Sequence, residues 1–288
     1  MISALIVNWN TRDFLADCLE SLVNRTEPGD AVDEITVVDN ASEDDSVEMV
    51  RDRYPGVTVI SLDRNIGYAA GNNLAAQGAR GDLMFFLNPD TVVEPGAVSA
   101  LSNELAENPK TALVAPKLVL PDGATQASVR GFPTPMALFG AWTALDRLFP
   151  AHKVLASYRL PMFDYEKAQT APQPMASAWM VRRSAWDAVG PFDERFPLFW
   201  NDVDWCVRAW EAGWDVTYLP TAVVRHEGGA GTRQIKPRAT WESHRSLVEF
   251  YRRRYGKRLG PVRLALCIAL IMGVGTIRTG WYRLTRRA

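Results

Sequence analysis

Through its first 107 residues the chain alternates short β-branched apolar runs with helical patterns, and this rhythm restricts its fold more than any other feature. Strands are expected at 2–7, 34–38, 57–60 and 83–87, with helices at 11–24, 42–53, 72–79 and 95–107. Parallel strands joined by right-handed helical crossovers are what such alternation builds. The first helix carries Phe14, Leu15, Cys18, Leu19 and Leu22 on one stripe, with Asn10 or Thr11 as its cap. Acids open the second helix, Pro55-Gly56 closes it, and Pro95 opens the fourth.

The rhythm breaks at residues 116–174, which hold many prolines and an aromatic-rich piece from Phe139 to Phe149. Long irregular segments are usually lids or binding loops, and a packed subdomain is the alternative. Regular structure resumes with strands at 179–183, 216–219 and 222–226 and helices at 202–212 and 240–255. The expected fold class is α/β with a mostly parallel central sheet, followed by a helical tail over 232–288.

With 47% hydrophobic and 23% charged residues, the chain can bury a sizeable core. Cys18, Cys206 and Cys267 lack any paired spacing for zinc or disulfides, which suits a reducing compartment. The N-terminus runs straight into strand-like sequence without a basic segment, so no signal peptide is expected. The net charge of −1 conceals an uneven distribution. No acid follows Glu249, whereas ten basic residues do, so an acidic body (22 basic against 33 acidic residues) carries a basic tail. Within that tail, residues 264–277 are uncharged. As a helix they would span about 21 Å, short of the roughly 30 Å hydrocarbon core of a bilayer. A basic, apolar tail suits either an anionic membrane surface or a packed terminal helix with a solvated fringe. On the first reading Arg252, Arg258 and the basic residues between them meet lipid head groups, and a chain ending near Tyr251 is soluble and still binds its small ligand.

Two acidic clusters stand out. The apolar run 83–87 stops abruptly at Asn88-Pro89-Asp90, because proline has no N–H for a ladder and restricts the residue before it. Asp90 then lies at the carboxyl end of a buried strand, where ligands bind in open α/β sheets and where a hard cation can be held. An ordinary turn uses the same residues. The second cluster is Trp200-Asn201-Asp202-Val203-Asp204. A carboxylate among these aromatics would have a raised pKa and serve as a base; the alternative is an acid-stabilised helix N-terminus.

Taken in order, Val7-Asn8-Trp9-Asn10, Val38-Asp39-Asn40, Asn65-Ile66-Gly67 through Asn73, Leu87-Asn88-Pro89-Asp90 and Trp200 to Asp204 resemble glycosyltransferase family 2, most of all its bacterial rhamnosyltransferase-like branch. The resemblance runs from Ile2 to about Gly231. It implies a GT-A domain over 1–231, with 116–174 on the acceptor side, a nucleotide-sugar donor (dTDP- or UDP-linked), Mg²⁺ or Mn²⁺, and inversion at the anomeric carbon. Carried over by position, Asn8 and Asp39 would hold base and ribose, and Arg64 and Asn65 the base or diphosphate. Asp90 and His226 would bind the metal, Asn88 would face sugar or ribose, and Asp202 would be the catalytic base. Asp204 would brace its helix through Arg208. The family usually has Glu-Asp where this chain has Asn201-Asp202, which opens the question of what orients the acceptor. The implied reaction is hexosyl transfer, best matched by rhamnose from dTDP-rhamnose, to a lipid-linked or polysaccharide acceptor at the cytoplasmic face of the cell membrane. No nucleic-acid partner is expected. A nucleotidyltransferase would instead favour a basic glycine-rich loop near the N-terminus. An inactive membrane-bound scaffold would have no need of Asp90, Asp202 and His226 together.

Overall fold

A computed structural model describes residues 1–25 and 29–285; Arg286 and Arg287, counted above in the basic tail, lie outside the described residues. The first half alternates as follows: β1 (Ile2–Asn8), α1 (Arg12–Val23), β2 (Glu34–Asp39), α2 (Ser46–Arg53), β3 (Thr58–Ser61), α3 (Tyr68–Gly78) and β4 (Leu83–Leu87). A short β5 (Thr91–Val93), α4 (Ala97–Glu107) and β6 (Thr111–Val119) continue it. Then come β7 (Val129–Arg130), α5 (Pro135–Trp142), α6 (Leu145–Leu148), β8 (Gln169–Thr170) and β9 (Gln173–Pro174). The chain closes with β10 (Ala178–Arg182), α7 (Arg183–Val189), α8 (Asn201–Glu211), β11 (Asp215–His226), α9 (Ala230–Gln234), α10 (Lys236–Phe250), a π-helical turn (Tyr251–Tyr255) and α11 (Gly256–Thr285).

The large sheet runs β3-β2-β1-β4-β10-β6-β11-β5, with β8 on β11. Its β3-β2-β1-β4 half is parallel, while β10 enters antiparallel to both β4 and β6. Because both faces are covered at β1 and β4, these two strands read as near-continuous apolar runs rather than alternating ones, while the edge strand β3 is partly exposed. One face packs on Leu15, Leu19, Val98 and Leu101 of α1 and α4. The other packs on Ala69 and Ala75 of α3 and on Trp186 and Trp205 of α7 and α8.

Several expectations need correcting. Helix α2 begins at Ser46 rather than 42, and α4 begins at Ala97 with Gly96 as its cap, so Pro95 precedes the helix instead of opening it. Phe14 is exposed, and the stripe of α1 is completed by Ala16 instead. Helix α3 begins at Tyr68 rather than Asn72, since Gly71 is a site of close approach and not a breaker: a Cβ there would lie 2.9 Å from Val7 Cγ1. Residues 116–119 belong to β6, not to an irregular segment; Pro116 lies beyond the β10 pairing at Leu113 and Val114, and on the β11 side it sits opposite Leu219, where the register of that ladder breaks. The two strands expected at 216–219 and 222–226 are one, β11, with a register irregularity between Leu219 and Val223.

Candidate active site

In the sheet order β2 and β4 flank β1: the crossover through α1 leaves β1 toward β2 on one face, and the crossover through α3 returns past β1 to β4 on the other. The carboxyl ends of β1 and β4 therefore border a crevice. A cleft of about 780 Å³ opens there. Its walls come from Val7 near the end of β1 and Trp9 just after it, Asn40 after β2, the turn into α3, Asn88 to Asp90 after β4, the corner leading into α8, and His226 at the end of β11. The far wall is α10, through Ile235, Arg238, Ala239 and Glu242.

Asp90 and His226 meet on one side. Nε2 of His226 lies 3.5 Å from Asp90 Oδ1, and both side chains are about 5% exposed or less. The other ring nitrogen, Nδ1, is 2.8 Å from Gln126 Oε1, so as a donor it leaves Nε2 turned toward the acid. Nε2 is buried without a hydrogen-bond partner. Burial would raise the Asp90 carboxyl, but His226 and the N–H of Ala230, 3.0 Å from Oδ2, outweigh it and hold the pKa below the usual value. An ionised oxygen and an orphaned imidazole nitrogen pointing at each other are a fitting donor pair for Mg²⁺ or Mn²⁺. Among the described residues no third His, Cys, Asp or Glu joins them.

Asp202 lies across the cleft in the first turn of α8. Burial raises its pKa, only partly offset by the N–H groups of Val203 and Ala176. Tyr68 stands between the two sides: burial first, then the charges of Asp202 and Asp90, push its hydroxyl up. That hydroxyl donates to Ala176 O at 2.7 Å. The backbone leading to Asp202 is strained, with Trp200 in the left-handed region at φ 74°. Trp200 is pinned by Nε1 donating to Ser243 O of α10 at 2.8 Å. Asn201 is buried and donates from Nδ2 to Phe196 O at 3.0 Å, a bond that an ionised glutamate at this position could not make. It braces the corner that presents Asp202. Asp204, by contrast, turns away from the cleft, accepting from Arg208 Nε at 2.8 Å as the helical spacing predicts.

The residues expected at the donor side divide. Asn88 lines the cleft beside Ser177, and Asn65 sits at its rim accepting from Gly67 N at 2.9 Å. Arg64 is exposed, beside a smaller hollow it shares with Asn65 and Glu194. Asn8 and Asp39 are buried and bonded to each other, Asn8 Nδ2 donating to Asp39 Oδ1 at 2.8 Å. Asp39 also takes the N–H and hydroxyl of Ser42, so it closes the turn after β2, and the wall presented to the cleft is Asn40 instead. The Asn40 amide holds the next turn through Gly67 O and Ile66 N, both at 3.2 Å. Gly67 has φ 92°, and a Cβ would lie 2.9 Å from Pro197 O, so only glycine fits between the two loops. Asn40, Gln126, Ser177 and Arg238 were not singled out by the sequence; only the position of Asn40 beside Asp39 gave any signal.

This fold, with its cleft at the carboxyl edge of the parallel half, is that of a GT-A glycosyltransferase. GalNAc-T7, solved with UDP, GalNAc and Mn²⁺, superposes with a TM-score of 0.59 at 16% identity over 78% of this chain and 43% of its own, so this chain spans less than half of it. TarS of S. aureus (residues 1–349), solved with UDP, gives 0.55 at 14% identity over 94% of this chain and 70% of that one. The chain belongs to glycosyl transferase family 2, whose family model matches residues 3–186. Among curated relatives, the N-acetylglucosaminyl-diphospho-decaprenol L-rhamnosyltransferase of Mycobacterium tuberculosis is 29% identical over 81% of this chain and 79% of its own length.

Proposed function

We propose that the protein transfers a sugar, rhamnose from dTDP-rhamnose in the most specific form of the reading, to a lipid-linked acceptor in cell-envelope glycan synthesis, with inversion at the anomeric carbon. One observation carries this: Asp202 and the Asp90–His226 pair face the same cleft, with Tyr68 under the charge of both acids. The name of the mycobacterial relative supports both the sugar and a decaprenol-linked acceptor. The Mn²⁺ and UDP of GalNAc-T7 support a divalent cation on a nucleotide donor.

In this mechanism Asp202, its basicity raised by burial, takes the proton from the acceptor hydroxyl as that oxygen attacks the anomeric carbon. No carboxylate nucleophile is required, in contrast to a retaining glycosidase. Asp90 and His226 would hold the cation, which when bound neutralises charge on the departing nucleoside diphosphate. Asn65, Asn88 and Asn40 contribute donors and acceptors to the nucleotide side, and Arg64 a cation at its rim. Asn8 and Asp39 act one layer behind, fixing the turn that carries Asn40. The site of action is the cytoplasmic face of the cell membrane.

The test is a panel of nucleotide sugars offered to purified full-length protein with and without lipid-linked acceptor. Turnover of dTDP-rhamnose, abolished by excess chelator and restored by Mg²⁺ or Mn²⁺, is the expected result. Turnover of UDP-hexoses alone would overturn the sugar assignment, and full activity in chelator the metal. Neither hydrolysis nor transfer with any donor would leave the scaffold reading.

A further inference from the structure

We infer that the outward face of α11 is a docking surface for an anionic lipid bilayer, and that it holds the mouth of the cleft against that bilayer. The inference deepens the lipid-linked acceptor reading and rests on it only for its purpose. Helix α11 breaks at Gly260, where φ is 72°, and Pro261 starts its long second part. From there the helix has two apolar faces. Ile271, Gly275 and Thr279 are buried toward the body. A Cβ on Gly275 would lie 2.9 Å from His244 Cβ, so α11 presses directly on α10. The opposite face carries Val262, Leu266, Leu270, Ile277, Trp281 and Leu284, each at least 50% exposed. At 3.6 residues per turn these six fall within a stripe roughly 100° wide, centred almost opposite the buried one.

The occupant follows from charge and length. Arg263, Arg278 and Arg283 flank the stripe, and no acid occurs anywhere beyond Glu249. Such a surface matches anionic head groups, with Trp281 at interfacial depth. By length and composition the helix is apolar enough to cross a membrane. Crossing would nevertheless give up the packing of Ile271, Gly275 and Thr279 on the body, whereas lying in the interface keeps it. The two helices run antiparallel: Lys236 Nζ sits 4.4 Å from the ring of Tyr282, and His244 meets Gly275. The Trp281–Leu284 end of the stripe is therefore beside Ile235, Arg238 and Ala239, the α10 wall of the cleft. An acceptor anchored in the same bilayer would have its head group at that mouth.

The experiment is sedimentation of full-length protein with phosphatidylglycerol-containing vesicles and with phosphatidylcholine vesicles, without donor or acceptor, so that its outcome does not depend on the sugar-transfer reading. Wild type should sediment with the anionic vesicles only. Leu266→Glu with Ile277→Glu should abolish binding while leaving the melting temperature unchanged, because these side chains face away from the body. Arg278→Gln with Arg283→Gln should weaken binding about 30-fold, the combined effect of two basic residues near an anionic surface. Vesicle binding by the double-glutamate protein equal to wild type, or none by wild type, would overturn the inference. A dimer in analytical ultracentrifugation that the same glutamates dissociate, without vesicle binding, would assign the face to a second copy and overturn it equally.

Discussion

At the scale of single residues, two aspartates a short step apart on one helix are given opposite tasks by their surroundings. Asp202 meets the cleft with a pKa raised by burial, and Asp204 is buried in ion pairs behind it. Asp202→Asn keeps the shape and removes the proposed base. Donor affinity should hold while transfer falls by ~10²–10⁴, the usual worth of a positioned base. Since the native pKa is raised, the base form is lost at a pH above the ordinary carboxylate value of about 4, so kcat/KM should show an acid limb on the high side of that value. The limb should vanish in Asp202→Asn; an unchanged limb would assign it to another group. Asp204→Asn should act through stability, lowering it by about 3 kcal/mol in denaturant unfolding, because it leaves two arginines short of their partner. Transfer near wild type in Asp202→Asn, with collapse in Asp204→Asn, would reverse the assignment.

At the scale of elements, the first turn of the tail is part of the support of α8, the helix that carries Asp202. The π-helical turn places Arg254 so that its guanidinium donates to Asp204 Oδ1 at 2.8 Å and to Glu211 Oε2 at 2.8 Å, both on α8. Of the basic run expected to meet lipid, Arg254 is thus committed to the body, and Phe250 and Tyr251 are covered by α11. A chain ending near Tyr251 is therefore not the clean soluble fragment its composition suggests. Arg254→Gln should cost about 1–3 kcal/mol and lower kcat more than it raises the donor KM; equal kcat in the variant would limit Arg254 to stability. How far elements were legible follows from where their constraints lie. The run 83–87 matched β4 residue for residue, since a strand covered on both faces is written as apolar residues alone. Pro116 and Gly71 misled, because the break in ladder register beside the one and the close approach that demands the other are made by segments distant in sequence. The site divides likewise. Asp90, Asp202 and His226 end or begin elements within recognisable motifs. Gln126, Ser177 and Arg238 reach the cleft only through tertiary packing.

At the scale of the whole molecule, charge separation would set orientation at the proposed bilayer surface. The tail carries ten basic residues without an acid and the body an acidic excess, so an anionic surface attracts the α11 side and repels the rest. A chain with the same net charge evenly spread would gain no such alignment. The Debye length shrinks from about 10 Å at 0.1 M salt to about 3 Å at 1 M, so this alignment should weaken with salt while the buried Asp90 and His226 inside the cleft are screened much less. Transfer to a lipid-linked acceptor embedded in anionic vesicles should therefore fall steeply between low and high salt. Hydrolysis of the donor, and transfer to a short-chain water-soluble acceptor, should change little over the same range. Measuring the three rates side by side checks this. A parallel decline of all three would place the salt effect in the cleft itself, and a flat response of all three would leave the charge separation without a part in catalysis at the membrane.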